Sequence, residues 1–340
     1  MTNPTFRLLR SAFAAAALGL VISAPAQAQE KSINVMMWGS TWQTALQQSS
    51  ADFTKKTGIK VNLVTQASSG EGLVKLQTMK AKPTIDVWFT TASVAERAVT
   101  DDALFAPLPA ARMSNLGELA KGTATDRYVG IYGYPVSIIY RTDLVQQPIK
   151  TWSDLWQPRF AGKLAVPAMG VYQGRALMIA AMSGGGSATD ADKGFEMLGK
   201  LKPNVVMFYG TDTQARQALA QGEVSVLVGP PSQAKRMADA GRPVAVVSPK
   251  PAIMNFDVAT IVRSGKEDLA AQYINFLLER EANQALAGNL NMSPVNKNAK
   301  PSDYLAPMLP KPEDAFIPSE EFVNQHIAAW TERFNRDIVK

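Results

Sequence analysis

Loops of small hydroxyl residues, flanked by aromatic side chains, are the groups in this chain whose types and spacing suit chemistry. Trp38-Gly39-Ser40-Thr41-Trp42, Ser68-Ser69-Gly70 and Thr90-Thr91-Ala92-Ser93 lie in the first third. Met169 to Gln173, Gly210 to Asp212 and Gly229 to Ser232 lie in the middle. Hydroxyls donate and accept, glycines let a solute approach the backbone, and free N–H groups at a helix start favour an anionic group. Such loops suit binding of a small polar molecule more than bond-breaking. The chain has no cysteine and a single histidine, His326, so it cannot supply a thiol nucleophile, a disulfide, a His-based triad or a multi-His metal site. It contains no G-x-S-x-G, P-loop or H-E-x-x-H motif. An enzyme using carboxylates or lysine on a two-domain α/β scaffold stays open as the alternative class. No catalytic residue, metal or cofactor is expected.

The elements that position these loops alternate. Ile33 to Trp38 reads as a strand, and Trp42, Ala45, Leu46, Ser49 and Phe53 share one face of a helix that Gly58 ends. Strands at 59–64 and 85–89 follow, with helices at 72–80 and 92–99. A long apolar strand from Tyr128 is interrupted at Pro135 and continues to Tyr140. The pattern then resumes with strands at 163–166, 205–208, 223–228 and 243–247 and helices at 173–182, 189–200, 211–221 and 231–240. SGGG at 183–186 sits behind a helix and reads as a cap and loop, not a phosphate cradle. Alternation of this kind predicts a mostly parallel sheet covered on both faces. Ligands of open α/β sheets sit beyond the carboxyl ends of the strands, where the hydroxyl loops fall. Trp42, Trp88, Trp152 and Trp156 read as packing residues, and Thr211 as a helix cap. The last helix carries Val323, Ile327, Trp330, Phe334 and Ile338 as a packing stripe, with His326 beside it.

At 340 residues, 46% hydrophobic and 19% charged, the chain suits two globular domains. Arg7 and Arg10 precede an apolar run from Ala12 to Ile22 and an Ala26-Gln27-Ala28 site, which reads as an export signal cleaved after Ala28 or Ala26. The run is shorter than the ~20 residues that span hydrocarbon. Without the two arginines the formal charge falls from +6 to +4, with no basic cluster, so a nucleic-acid partner is not expected.

The stretch from Tyr134 to Lys163 carries a more specific signal. Tyr134, Pro135, Val136 and Tyr140, followed by Thr151, Trp152, Asp154, Leu155, Trp156, Pro158, Gly162 and Lys163, resemble the type II solute-binding proteins of ABC importers, especially the cluster with the spermidine/putrescine-binding proteins. NFDVATIVRSGKEDLAAQYINFLL resembles them again. The resemblance implies an α/β periplasmic-binding-protein fold of two domains, joined by two crossovers, with the ligand cleft between them. The expected division is a signal at 1–28, a first domain of 29–135 plus 255–340, and a second of 136–254, with crossings near Pro135 and Pro249 to Pro251. It also implies a monomer that delivers a small polar solute to an ABC permease in the inner membrane, while the export signal and the lack of a cysteine to carry a lipid anchor suit the periplasm. In the polyamine-binding relatives an aromatic two residues before an acid stacks on the solute, and the acid pairs its amine. Asp257 matches the acid, and Asn255 stands where the aromatic belongs.

The expected ligand-binding residues are therefore Trp38, Ser40, Ser69, Thr91, Tyr172, Gln173 and Asp257, with Ser68, Thr90, Arg175, Asp212, Ser232 and Asn255 as further candidates. Two anchors compete. Asp257, helped by Glu71 and Asp212 and by the faces of Trp38 or Tyr172, suits an amine such as a polyamine, an ω-amino acid or an amino-acid-like compound. Ser69, Thr91 and Arg175 suit a carboxylate or phosphonate. A transferrin-like iron binder would want clustered Tyr or His, and adjacent tyrosines are absent.

Overall fold

The computed structural model describes residues 31–340, so the expected export signal lies outside the described residues. The chain opens with β1 (Ser32–Trp38), α1 (Thr41–Thr57), β2 (Lys60–Gln66), α2 (Ser69–Thr78), β3 (Val87–Thr91), α3 (Ala92–Ala98) and the short β4 (Phe105–Ala106). In α1, Ala45, Leu46, Ser49 and Phe53 face inward, as their spacing requires. Gly58 ends the helix at φ 74 and returns its N–H to the Thr54 carbonyl at 2.8 Å. Fully burying a side chain such as Phe53 contributes about 2 kcal/mol.

The long apolar stretch forms β5 (Tyr128–Pro135) and β6 (Ser137–Arg141), which belong to different sheets. Next come β7 (Leu164–Pro167), α4 (Arg175–Ser183), α5 (Ala191–Leu201), β8 (Val205–Tyr209), α6 (Asp212–Gln221), β9 (Val226–Gly229), α7 (Pro231–Asp239) and β10 (Val244–Val247). The chain returns through β11 (Ala252–Val262) and closes with α8 (Glu267–Leu277), α9 (Arg280–Leu290), β12 (Ser293–Pro294), β13 (Ala315–Phe316) and α10 (Glu320–Phe334).

Two sheets result. The first runs β12-β5-β11-β3-β1-β2, with β4 and β13 also paired to β11, and the second runs β10-β6-β9-β7-β8. Neither is mostly parallel. The runs β2-β1-β3 and β8-β7-β9 are parallel, whereas β11 is antiparallel to β3 and β5, and β6 is antiparallel to β9 and β10. The physical reason lies in connectivity. β5, β6 and β11 carry the chain between the sheets rather than completing a strand–helix–strand turn within one, so no crossover helix forces them parallel. At the crossing, the Val136 N–H bonds the Ile253 carbonyl at 2.8 Å, so the outgoing and returning segments lie side by side.

Trp88 is fully buried and donates its indole N–H to Gln66 at 2.8 Å. Trp152 is buried, and Trp156 donates to the Met197 carbonyl at 2.9 Å, so all three are packing residues. The C-terminal helix touches both lobes. Val323, Trp330 and Phe334 of α10, with Ile338 beyond it, join the core around α4, α5 and β7. On the other side, Asn324 of α10 donates to the Ser93 carbonyl at 2.8 Å and accepts from Arg97 at 3.2 Å. Gly174 lets Trp330 close on the second lobe: it has φ 79, and a Cβ there would meet the Trp330 ring at 3.0 Å. That left-handed backbone, with Gln173 at φ 47, starts α4 at Arg175 rather than at Gln173. Among the described residues, no helix is long and apolar enough to cross a membrane.

Candidate functional site

Strand β11 supplies one wall. Asn255 and Asp257 pair with Tyr134 and Tyr132 of β5, and Asp257 also pairs with Thr91 of β3. Alternation along a strand puts these side chains on one face. Thr90 turns to the opposite face opposite Val258, where it is fully buried with its hydroxyl unpaired. Asp257 is only 5% exposed. Burial pushes its carboxyl up to about 7, the Asp212 carboxylate adds to the rise, and the Tyr132 hydroxyl pulls the other way. No ion pair to Asp257 is found among the described residues.

The facing wall comes from the second lobe. Asp212, at the first turn of α6, accepts from the Tyr172 hydroxyl and from Gln233 Nε2 at 3.1 Å. Arg216 in turn donates to Gln233 Oε1 at 2.8 Å. Burial raises the Asp212 pKa, against the Tyr172 hydrogen bond and the charges of Arg236 and Arg216. Contacts join the walls at several points. The Tyr134 and Tyr172 rings meet edge to face at 6.3 Å, and the Arg236 guanidinium of α7 lies 5.4 Å from the Trp42 ring of α1. The walls therefore stand closed, with a cavity of about 20 Å³ beside Tyr134 and Tyr172.

Thr91, Tyr172, Gln173, Arg175 and Asn255 line that cavity. Trp38 is half-buried beside Trp42, at 6.1 Å between ring centroids. Ser40 is exposed, and its side chain caps nothing. Ser40 and Gln173 are two of the three non-glycine residues at positive φ among the described residues, and both belong to loops read as binding loops. Ser69 is buried, and its oxygen accepts from the Thr91 N–H at 3.3 Å, tying the two loops together. Ser232 is buried in the first turn of α7 with its hydroxyl unpaired.

Other candidates are occupied elsewhere. Ser68 caps α2 by accepting from Glu71 N at 3.1 Å. Glu71 bonds Ala67 N at 2.8 Å and Lys75 at 2.5 Å, and that lysine holds its pKa down. Its carboxylate is thus spent within its own helix, as a capping residue's is. Thr211 caps α6 through Gln214 N at 3.2 Å. Arg175, 2% exposed, donates Nε to Asn255 Oδ1 at 2.9 Å, Nη1 to the Gln173 carbonyl at 3.1 Å, and Nη2 to Glu320. Its charge is therefore balanced inside the protein. Tyr132, Tyr134, Gln233, Arg236 and Glu320 were not expected from the sequence as ligand-binding residues, although Tyr134 belongs to the stretch that carries the family resemblance. For the tyrosines the signal was present, since they alternate with small residues on the strand that pairs with Asp257. Gln233, Arg236 and Glu320 come into place only through long-range packing. Among the described residues, no group of three or more His, Cys, Asp or Glu could hold a metal ion.

Residues 48–310 match a family model described as bacterial extracellular solute-binding protein. The chain is 23% identical over 290 residues to the gamma-aminobutyric acid-binding protein of Pseudomonas aeruginosa, covering 82% of this chain and 81% of that one. It is 26% identical over 306 residues to the spermidine/putrescine-binding periplasmic protein of Salmonella typhimurium, covering 86% and 85%. Among solved structures, an ABC transporter protein from Clostridium perfringens superposes with a TM-score of 0.76 at 26% identity, over 90% of this chain and 99% of that one.

Proposed function

The chain belongs to the bacterial extracellular solute-binding proteins, which serve ABC transporters and are not enzymes, and from that premise we propose that it captures a small amine-bearing solute between its two lobes. The observation that carries this reading is Asp257. A carboxylate buried to 5% exposure with no ion-pair partner is costly. A solute ammonium set between Asp257 and the Asp212 wall supplies the missing counter-charge, with Tyr132, Tyr134 and Tyr172 as its aromatic surroundings. The relatives named above bind gamma-aminobutyric acid or polyamines, all of which carry an amine.

The proposed working form is a periplasmic monomer that starts after Ala28 and passes its solute to an inner-membrane permease. Its domains would be 29–135 with 255–340, and 136–254, closing about the two crossings. The anion reading relies on Arg175, Ser69 and Thr91. Engagement of Arg175 by Glu320 and Asn255, and of Ser69 by Thr91, argues for the amine.

A thermal-shift screen tests this. ω-Amino acids, diamines and polyamines should stabilise the protein, by about 2.7 kcal/mol at a hundredfold excess over Kd, while simple carboxylates, phosphonates without an amine, and sugars should not. Stabilisation by amine-free anions alone would replace the reading.

A further inference from the structure

Asn255 carries a polar group that no other described residue uses. The residue is 7% exposed, and its Oδ1 accepts from Arg175 Nε at 2.9 Å. A guanidinium only donates, so this bond fixes which way the amide faces and leaves Nδ2 as the free branch. That Nδ2 is buried and has no hydrogen-bond partner among the described residues. A buried N–H without a partner is uncommon in native structures and asks for an acceptor. The residue lines the cavity of about 20 Å³ between the lobes, together with Thr91, Tyr134, Tyr172 and Gln173. It stands two residues before Asp257 on the same face of β11, about 7 Å along the strand.

We propose that Asn255 is a specificity-determining residue, whose Nδ2 donates to an oxygen of the solute at the end away from the amine. The proposal rests on the amine reading and sharpens it. With the ammonium at Asp257, the cleft selects a solute with a carboxylate or phosphonate oxygen at its other end over a diamine of the same length. A diamine would bring N–H donors against the Asn255 N–H, beside the Arg175 guanidinium. The competing acceptor is Glu320, whose Oε2 is also buried and unpaired. Its charge, however, is matched by Arg175 through Oε1, so this corner as a whole is neutral and offers a second ammonium no net counter-charge.

The test uses ω-amino acids and diamines of matched carbon chain, with 4-aminobutyrate and putrescine as the central pair, in calorimetry on the full mature chain. The parent should bind the amino acid at least about tenfold tighter than its matched diamine. Asn255→Asp keeps an acceptor for Arg175 and replaces the donor by a charged acceptor, so it should reverse that preference. A parent that prefers the diamine overturns the proposal, assigns the far end to Glu320, and leaves the amine reading standing. An unchanged ratio in a folded Asn255→Asp variant overturns it too, because the amide then serves only Arg175 or a bridging water. If that variant does not fold, Asn255→Ser is read by the same ratio, and the parent comparison needs no variant at all. Absence of binding by every amine-bearing probe overturns the amine reading and this inference with it.

Discussion

Asp257→Asn should make the ligand-free protein more stable at neutral pH while weakening its grip on an amine. Burial lifts Asp257 to about 7, about 3 pH units above an unperturbed aspartate. In the native state the carboxyl keeps its proton until about pH 7, and in the unfolded chain it loses it near pH 4. Across that window the native state binds more protons, so stability falls as pH rises and levels off above about 7. At about 1.4 kcal/mol per unit the full loss is about 4 kcal/mol, an upper bound because opening of the cleft would hydrate the group. Asparagine has the same shape and never ionises, so the gain over the parent should be about 4 kcal/mol at pH 8 and only about 1 to 2 kcal/mol at pH 5. Urea denaturation of ligand-free protein at both pH values measures it. Calorimetry with the best amine from the screen should show binding weakened by about 1.5 to 3 kcal/mol in the same variant. In the parent, affinity should fall toward about tenfold per pH unit below 7, as the proton and the ammonium compete for one carboxylate. A stability gain equal at pH 5 and pH 8 would instead mean that Asp257 is ionised in the native ligand-free protein throughout, against the raised pKa.

Three further outcomes follow from the same geometry. Glu320→Ala strands the 3%-exposed Arg175 side chain without its ion-pair partner and should cost about 3 to 5 kcal/mol in chemical denaturation, and a double-mutant cycle with Arg175→Ala should recover part of it. Because the walls stand closed here, as around a bound solute, solution scattering should give ligand-free protein a larger radius of gyration than this closed form, falling toward it when a binding amine is added, with the β5–β6 and β10–β11 connections between the sheets as pivots. Ser68→Ala removes the cap of α2 and should cost about 1 kcal/mol in melting experiments while leaving calorimetric affinity unchanged, because that hydroxyl is held by Glu71 N.

Much of this molecule was legible along the chain because local rules governed it. The inward stripe of α1, the Gly58 stop, and the Ser68 and Thr211 caps depend on neighbours three or four residues away. The break at Pro135 could be read as a crossing because proline ends a ladder. The hydroxyl loops fell where strand ends must lie, and motif resemblance led to Asp257. Strand direction was not legible, since burial patterning is the same for a parallel and an antiparallel neighbour. Only the tertiary structure set β11 antiparallel between β3 and β5. It also decided the fate of each charge. Arg175 reads in sequence as a free anion anchor, and Glu320, 145 residues away, takes it. Glu71 reads as a helper and is spent on its own helix. Asp212 joins the buried wall because Tyr172, from the loop before α4, and Gln233, from the first turn of α7, both reach it. Charge identity is written in the sequence, but whether a charge is free to meet a solute depends on partners that only long-range packing brings within hydrogen-bond distance.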